Sequence, residues 1–279
     1  MSVVLITGCS SGFGKLAALE FARRGDTVFA SMRDTKKSGP LLEEAKAAGV
    51  TVEVIPLDVT DRTSAEAAVS EVLRQAGRID VLVNNAGVGT HGPIEDFDDD
   101  EVHKIFDTNV YGVIRATRAV LPTMRSQRSG TVINVTSIAG RVTGPYGGVY
   151  AASKHAAEAL SDALYYELHP FGIRVVVIEP GGFETEIGSK SLLPRRFTEG
   201  SPYVEFERRF AEAGSKLPGG GQPGDARVVA SAIVDAAKAE QPTRRQLVGQ
   251  DAELIGGLHK QMSDEDFEKA MRTTLDVWD

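Results

Sequence analysis

Short apolar runs alternate with longer amphipathic stretches along most of this chain. Seven runs rich in Val, Ile and Leu are typical of β-strands, and they lie at residues 3–7, 27–32, 51–57, 79–83, 130–136, 173–179 and 245–249. Several are apolar at successive positions without alternation, as expected for strands that are buried on both faces. The repeated order of strand and helix predicts an α/β fold with one doubly wound parallel sheet of about seven strands and helices on both faces.

The amphipathic stretches predict the helices. The clearest helix is expected over residues 101–124, where apolar positions recur at the i, i+3, i+4 spacing of a buried helix face. That stripe consists of Val102, Ile105, Phe106, Val110, Val113, Ile114, Val120, Leu121 and Met124. Further helices are expected at residues 149–170 and 226–239. Because no repeat, linker or low-complexity segment interrupts the pattern, we expect a single domain over residues 1–279.

Residues 182–224 depart from this pattern. They contain aromatic and basic stretches at residues 192–197 and 203–210, and a Pro-Gly-Gly-Gly turn at residues 218–221. A connection of this length is longer than an ordinary strand-to-helix loop, and such segments are often lids over a substrate site. The alternative is a surface decoration without a role in binding. Residues 250–279 follow the last strand and form a C-terminal extension that we expect to help close the pocket.

Composition narrows the class of partner and the location. The chain is 42% hydrophobic and 25% charged, which is ordinary for a globular protein with a core. Its formal net charge of -8 argues against nucleic acid or an anionic membrane as partner, since both attract clustered Lys and Arg. The single cysteine, Cys9, excludes an intrachain disulfide. With neither a signal-peptide pattern nor an 18-residue apolar stretch, the expected location is the cytoplasm.

A glycine-rich loop follows the first strand at once and opens the first helix. Its sequence, Thr-Gly-Cys-Ser-Ser-Gly-Phe-Gly at residues 7–14, lets the backbone turn sharply and approach a pyrophosphate, which the helix N-terminus stabilises. The expected contacts of a dinucleotide cofactor here are Gly8, Ser10, Ser11, Gly12, Phe13 and Gly14. The alternative is a tight turn with no ligand.

The same loop matches the G-x-S-x-G pattern of the nucleophile elbow in α/β-hydrolases, with Ser10 in the nucleophile position. That interpretation would make the protein an esterase. The elbow follows a central strand after several strands have been laid down, whereas only one strand precedes residues 8–12 here. The position of the loop therefore favours the dinucleotide.

A second group of motifs lies after the fourth and fifth strands. Asn-Asn-Ala-Gly occupies residues 84–87, Ser137 follows the fifth strand, and Tyr150 and Lys154 stand four residues apart on one face of a helix. With the glycine loop and the Pro-Gly at 180–181, these motifs resemble the short-chain dehydrogenase/reductase family over residues 3–249. The resemblance implies a Rossmann-type fold and hydride transfer between a nicotinamide cofactor and a carbonyl or an alcohol.

The residue types suit that chemistry. Reduction of a ketone needs a proton donor at the carbonyl oxygen, and oxidation of an alcohol needs a base there. A tyrosine titrates near pH ~10, so a neighbouring cation such as Lys154 is expected to lower the pKa of Tyr150. The resemblance further implies that Lys154 binds the nicotinamide ribose, that Ser137 polarises the substrate oxygen and that Asn109 holds a water in a proton relay.

Two of these assignments have alternatives in the sequence. An asparagine within a helix, such as Asn109, can instead face solvent or bond to the backbone. Tyr146 is a rival acid one helical turn before Tyr150, but the residue four positions after it is not a lysine. The set of Ser137, Tyr150 and Lys154 therefore remains the predicted catalytic group.

The end of the second strand bears on the choice between NAD and NADP. An acidic residue there accepts hydrogen bonds from the ribose 2′-hydroxyl, whereas an arginine accommodates the 2′-phosphate of NADP. By resemblance, Met32 occupies the position of the NAD-selecting acid and Arg33 the position of the NADP-binding arginine. We therefore predict NADP(H), with Ser31 as a further hydroxyl for the phosphate. NAD is less favoured and would require Asp34 to turn towards the ribose.

The resemblance supplies the remaining contacts. Asp58 and Val59 match adenine contacts, Asn85 belongs to the Asn-Asn-Ala-Gly motif, and Phe183 and Thr185 match positions near the nicotinamide. The five histidines show no metal-binding spacing, so no metal is expected in the chemistry.

Residues 32–34 and 179–185 resemble the hydroxysteroid and retinol dehydrogenase branch and, more broadly, bacterial ketoreductases. With the aromatic-rich residues 182–224, they favour an apolar ketone or secondary alcohol as substrate. Members of the family associate through the helices matching residues 101–124 and 149–170, which implies a homodimer or a homotetramer. A non-catalytic protein that senses NADP is the alternative from another class, and the complete Ser-Tyr-Lys set disfavours it.

Overall fold

The computed structural model describes residues 1–185, 191–216 and 223–278. Its centre is a sheet of seven parallel strands in the order β3-β2-β1-β4-β5-β6-β7. The strands are β1 Val3–Ile6, β2 Thr27–Met32, β3 Glu53–Pro56, β4 Val81–Asn84, β5 Gly130–Val135, β6 Ile173–Pro180 and β7 Arg245–Val248. The predicted doubly wound, Rossmann-type fold is confirmed. The strand order reverses between β1 and β4, and such switch points form crevices for ligands at the carboxyl ends of the strands.

Helices cover both faces of the sheet. They are α1 Gly12–Arg23, α2 Gly39–Ala47, α3 Arg62–Ala76, α4 Asp99–Phe106, α5 Gly112–Gln127, α6 Gly148–Leu168, α7 Val204–Ser215, α8 Ala226–Lys238, α9 Gln250–Gln261 and α10 Asp264–Leu275. Within the described ranges, none of these helices is long and apolar enough to span a bilayer. The Pro-Gly-Gly-Gly turn expected at 218–221 lies outside the described residues.

The two faces of the sheet pack into two separate apolar layers. In β1, Val4 and Ile6 belong to the layer beneath α1 and α8, while Val3 and Leu5 belong to the opposite layer beneath α3, α5 and α6. Successive side chains of a strand point to opposite faces, so a strand covered on both faces is apolar at every position. This packing explains the unbroken apolar runs of the sequence.

The helix expected over residues 101–124 is interrupted. A π-helical turn at Asp107–Tyr111 separates α4 from α5. The turn places Asn109 and Val110 in the interior, so the buried apolar positions Ile105 and Val110 are five residues apart at this point. Apolar periodicity alone does not reveal one inserted residue in a helix, and π-turns of this kind occur frequently at functional sites.

A row of polar contacts joins the end of β5 to the buried face of α6. We call it the β5–α6 seam, and it pairs Asn134 with Ser161, Val135 with Lys154, and Thr136 with Glu158. The donor–acceptor distances are 2.8, 3.1 and 2.5 Å in that order. Directional bonds from three consecutive residues, the last two of β5 and the one that follows it, therefore fix the position of α6 on the sheet.

The glycine loop depends on close packing that a methyl group would disrupt. A Cβ on Gly14 would lie 2.5 Å from the Gly8 carbonyl oxygen and closer still to Asn85 Nδ2. We expect Gly14→Ala to lower the free energy of unfolding by about 1–3 kcal/mol, as overpacking of a tight site does. Urea unfolding measures the change. Gly257→Ala is the matched control within α9, where nothing lies within 4 Å, and equal stability of the two variants would contradict the prediction.

Candidate active site

A cleft opens at the switch point, over the carboxyl ends of the central strands. Its walls come from the glycine loop, the ends of β2, β3 and β4, and the segment after β6. Ten predicted cofactor contacts line it: Gly8, Ser10, Ser11, Gly12, Phe13, Arg33, Asp58, Val59, Asn85 and Thr185. Seven further lining residues were not among the predicted contacts: Met32, Leu57, Thr60, Ala86, Gly87, Val88 and Thr108. Most of them are sequence neighbours of predicted contacts at the strand ends, so their position after a strand is the feature that would have predicted them.

The glycine loop is held in shape from β4. Asn85 Nδ2 donates to the carbonyl oxygens of Thr7 and Gly8 at 2.9 and 3.1 Å. The Thr7 hydroxyl in turn accepts from the backbone N–H groups of Asn85 and Ala86, each at 3.0 Å. Gly14, a predicted contact, does not line the cleft but gives Asn85 the space to make these bonds.

The loop presents an anion-binding end. No acidic residue occupies the first turn of α1, and Ser11 at its N-cap makes no side-chain capping bond. Gly8 has a φ of +75°, and a Cβ there would lie 2.8 Å from Ala86 Cα, so only glycine fits this turn. Helix N-termini attract phosphate through unpaired N–H groups and the helix dipole. These residues therefore fit the pyrophosphate of a dinucleotide.

Arg33 lies at the edge of the cleft with its side chain exposed. It makes no ion pair within residues 1–185, 191–216 and 223–278. Its neighbour Asp34 does not line the cleft, and Asp34 Oδ1 accepts from the Lys36 N–H at 3.1 Å as the cap of a short 3₁₀ turn. The carboxylate that would have favoured NAD is thus occupied by the backbone.

One expectation at this strand end is wrong. The Ser31 hydroxyl does not reach the cleft, because it is buried and donates to the Ile6 carbonyl at 2.8 Å. Of the adjacent residues Arg33 and Asp34, only Arg33 lines the cleft, beside Met32 at the end of β2.

Asp58 and Val59 form the wall opposite the glycine loop. Asp58 Oδ1 accepts from the N–H and the hydroxyl of Thr60 at 2.9 and 2.7 Å. The Asp58 N–H donates to Ser64 Oγ at 2.9 Å, so both the backbone and the side chain of Asp58 hold the turn into α3. Val59 packs close to Gly112 of α5, where a Cβ on the glycine would lie 2.9 Å from the valine side chain.

Ser137 and Tyr150 meet beyond the end of β5. Ser137 Oγ accepts from the Ala139 N–H at 3.1 Å and lies 3.4 Å from the Pro180 carbonyl oxygen, to which it donates. Burial raises the pKa of Tyr150 above its ordinary value, and a hydrogen-bond interaction with Ser137 acts to lower that pKa. The two hydroxyl groups are therefore neighbours.

Lys154 is buried beneath the tyrosine. Its Nζ donates to the Val135 carbonyl at 3.1 Å and lies 5.6 Å from the centre of the Tyr150 ring. Burial lowers the pKa of Lys154 to about 8, and the negative charge of Glu158 opposes that shift. The expected lowering of the Tyr150 pKa by this lysine is not found, because desolvation dominates at the phenol and the ammonium bonds to the backbone.

Asn109 is buried, so the alternative that it faces solvent is excluded. Its Nδ2 donates to the Val88 carbonyl at 2.9 Å and to Ser153 Oγ at 3.0 Å, and its Oδ1 accepts from the Val88 N–H at 2.9 Å. A Cβ on Gly87 would lie 3.4 Å from Asn109 Oδ1 and 3.7 Å from Lys154 Nζ. The amide thus ties the loop after β4 to α6, close to the lysine.

Tyr146, the rival acid, is committed elsewhere. Its hydroxyl donates to the Tyr203 carbonyl at 2.9 Å, and its φ of +63° is a left-handed conformation. Four rings surround it, those of His91, Phe197, Phe206 and Phe210. Arg195 adds ion pairs to Asp98 and Asp100 of 3.1 and 2.6 Å. Tyr146 therefore anchors residues 191–216 to the body of the protein.

The segment after β6 closes one side of the cleft. Phe183, a predicted contact, does not line the cleft but packs edge-on against Phe13 with ring centres 5.7 Å apart. The Gly182 N–H donates to Asp251 Oδ2 at 2.6 Å, which ties this segment to the first turn of α9. Asp251 carried no motif in the sequence, so its contact depends wholly on the tertiary fold.

An apolar cavity of about 460 Å³ adjoins the serine. The residues that follow Ser137 form one wall, α7 forms another, and α9, α10 and Trp278 form the rest. Its charged lining residues are Glu268 and Arg272, which pair with each other at 2.9 Å. Within the described parts of the chain, no three His, Cys, Asp or Glu side chains cluster as metal ligands.

Comparison with known proteins identifies the family. The short chain dehydrogenase family matches residues 2–194. The chain is 40% identical over 183 residues to a 3-ketodihydrosphingosine reductase of Bacteroides thetaiotaomicron, covering 66% of this chain and 64% of that protein. It is 41% identical over 217 residues to estradiol 17-beta-dehydrogenase 1 of Rattus norvegicus, covering 76% of this chain and 60% of that one. The match thus spans less than two thirds of either relative.

Solved structures agree. A short-chain dehydrogenase from Streptomyces avermitilis is 36% identical with a TM-score of 0.79, over 98% of this chain and all of the other. An alcohol dehydrogenase from Thermococcus sibiricus, solved with 5-hydroxy-NADP, has 27% identity and a TM-score of 0.72, covering 89% and 96% of the two chains. A 3-ketoacyl-(acyl-carrier-protein) reductase from Brucella melitensis, solved with NADH, is 26% identical with a TM-score of 0.74, over 88% of this chain and 96% of the other. This chain therefore belongs to the short-chain dehydrogenase family.

Proposed function

We propose that the protein is an NADP(H)-dependent reductase or dehydrogenase that interconverts an apolar ketone and its secondary alcohol. The observation that carries the proposal is the meeting of the Ser137 and Tyr150 hydroxyls over a buried Lys154, beyond a cleft that fits a dinucleotide. Family membership supports the reaction type, and the assignment of these residues rests on their geometry.

The chemistry divides between the cofactor and the protein. A bound nicotinamide supplies or accepts the hydride. Tyr150 donates a proton to the carbonyl oxygen during reduction and takes it back during oxidation, and Ser137 donates a hydrogen bond to the same oxygen. Because burial raises the pKa of Tyr150, the phenol is protonated at neutral pH and is suited to act as the acid.

Lys154 stabilises the phenolate that remains after proton transfer. With a pKa of about 8, its amine carries a positive charge at neutral pH. This charge stabilises the negative phenolate more strongly than the neutral phenol. In this proposal the lysine also binds the ribose, and Asn109 keeps the loop after β4 against α6. The ribose contact, and a proton relay through a water held by Asn109, follow the family resemblance. The tie between the loop and α6 follows from the bonds of Asn109 to Val88 and Ser153.

Cofactor choice rests on Arg33. Its guanidinium is exposed at the cleft edge and free of ion pairs among the described residues, so a 2′-phosphate finds a ready partner. Asp34 is held by its capping bond to Lys36. We therefore favour NADP(H) over NAD.

The substrate assignment rests on the apolar cavity beside Ser137. Its lining is dominated by aliphatic and aromatic side chains, which favours a ketone with a large apolar body. The relatives named above for 3-ketodihydrosphingosine and estradiol point to the same class of substrate. In this proposal, residues 182–224 and the C-terminal extension from residue 250 form the lid and the outer wall of a single-domain enzyme.

We further propose a homodimer or homotetramer that forms through α5 and α6. A groove runs between these helices, lined by aliphatic side chains, among them Val113, Ile114, Leu121, Leu160 and Leu164, and by the charged side chains of Arg118, Arg125 and Glu167. A groove of this composition on two neighbouring helices suits the self-association that the family resemblance implies.

The acid role is tested by Tyr150→Phe, which removes only the oxygen that transfers the proton. We expect kcat to fall by ~10²–10⁴-fold with cofactor binding nearly intact, since general acids contribute on that scale. Tyr146→Phe is the control, because its hydroxyl bonds to Tyr203 and should matter little to turnover. Retention of a tenth of the activity in Tyr150→Phe would refute the assignment.

Cofactor choice is tested by kinetics with both nicotinamides. A charge-assisted bond of ~2–3 kcal/mol to the 2′-phosphate corresponds to roughly 30–150-fold preference for NADPH in kcat/KM. Arg33→Ala is expected to abolish most of that preference while leaving NADH kinetics nearly unchanged. Lys37→Ala, also exposed and within the next turn, is the control for charge alone. An NADH preference of the unaltered protein would contradict the Arg33 argument.

The substrate pocket is tested by filling it. Met271→Trp places a larger side chain in the apolar cavity and should raise KM for bulky apolar ketones at least several-fold, while small ketones are less affected. Thr274→Trp is the control, since it lies on the exposed side of the same helix and does not line the cavity. Equal effects on large and small ketones would place substrate binding elsewhere.

A further inference from the structure

The buried face of α6 carries a charge that the proposed chemistry does not use. Glu158 lies one helical turn beyond Lys154 and is 5% exposed. Its Oε1 accepts from Thr136 Oγ1 at 2.5 Å, and its Oε2 accepts from Arg245 Nε at 3.1 Å. A buried carboxylate is costly unless it is paired and hydrogen-bonded, and these two partners supply both conditions.

A second buried carboxylate shares this pocket of charge. Glu179 lies near the end of β6, with Oε1 3.5 Å from the Nε atoms of both Arg141 and Arg245. Burial first, and the neighbouring charge of Glu158 second, raise the pKa of Glu179 above its ordinary value. Two interacting buried carboxyl groups are more stable with one proton between them than with both groups ionised.

The elements packed around Glu158 carry further charged groups. They are Lys154 and Asp162 on α6, Arg141 after β5, Glu179 on β6, and Arg244 and Arg245 at β7. Arg245 pairs with Glu158 directly, and Asp162 pairs with both arginines at β7. Among these groups, Glu158 is the one whose charge raises the pKa of Lys154, against the burial that lowers it. Glu158 is therefore linked to the lysine through its charge.

Glu158 is also linked to the serine, through the backbone. Thr136 immediately precedes Ser137, and its hydroxyl bonds to Glu158 as well as to the Ile178 carbonyl at 3.2 Å. Gly140 lies against the glutamate from the other side, where a Cβ would be 3.0 Å from Glu158 Cγ. The strand end and the turn that present Ser137 thus pack on this one side chain.

We propose that Glu158 is a positioning residue for the hydride-transfer site, whose charge stabilises the Lys154 ammonium and whose bond to Thr136 places Ser137. The proposal rests on the function proposed above. Its two parts separate by substitution. Glu158→Gln keeps an oxygen acceptor for Thr136 and removes the charge, whereas Thr136→Val removes the hydroxyl and keeps the charge.

The charge is measured directly by NMR titration of ¹³C-labelled lysine side chains in the full-length protein. The Lys154 signal is the one that disappears in Lys154→Met. In Glu158→Gln, the pKa of Lys154 is expected to fall by ~1 unit or more, since removal of a nearby opposite charge acts on that scale. Thr136→Val should leave the Lys154 titration in place. Glu43→Gln is the control, an exposed glutamate on α2.

The pH dependence of kcat/KM gives the second readout. Glu158→Gln should move the alkaline limb of the profile to lower pH by the same amount as the Lys154 titration. Thr136→Val should lower kcat several-fold without moving that limb, because the serine is displaced and the lysine is not. A purely structural role for Glu158 would lower activity in Glu158→Gln and leave both titrations where they are in the unaltered protein.

An unchanged Lys154 titration in folded Glu158→Gln overturns the proposal. Glu158→Asp, which retains the charge, is the second variant should Glu158→Gln fail to fold. It is expected to keep the Lys154 pKa within ~0.5 unit of the unaltered protein. A fall of the Lys154 pKa by ~1 unit in this variant would also overturn the proposal. The NMR titration needs neither cofactor nor turnover. Failure of the proposed function, with no activity on any ketone, is therefore distinguishable from failure of this inference.

Discussion

The site depends on the β5–α6 seam. A helix on a parallel sheet usually packs with an apolar stripe, which allows small shifts along and around its axis. On α6 the residues facing the end of β5 include Lys154, Glu158 and Ser161, and each makes a directional bond to one of three consecutive residues at or just after the end of the strand. Since Ser137 continues that strand and Tyr150 lies on that helix, the same bonds set the distance between the two hydroxyl groups.

The same seam explains the electrostatics of the site. Groups that hold α6 in place must be buried, and burial raises the pKa of Tyr150 while it lowers that of Lys154 to about 8. Ion pairs between the carboxylates and arginines around Glu158 offset the free-energy cost of burying these charges. Positioning and titration are therefore consequences of one arrangement, and a change to either affects the other.

The cofactor cleft is built on a different constraint, the close approach of backbones. Gly8, Gly14 and Asn85 pack so tightly that the loop has one shape, and the shape leaves the N-terminus of α1 open towards the cleft. The residues after β4 line this cleft and those after β5 line the apolar cavity, and the two strands end side by side. The segment after β6 and α9 completes this edge through the bond between Gly182 and Asp251.

The sequence by itself determined the α/β fold class, the glycine loop and the spacing of Ser137, Tyr150 and Lys154, because these follow from local periodicity and chain order. Tertiary structure alone decided what depends on distant neighbours. It put Ser31 in the interior, inserted the π-turn at Asn109 and raised the pKa of Tyr150. Burial and long-range hydrogen bonds set each of these outcomes, and neither is encoded in a short window of sequence.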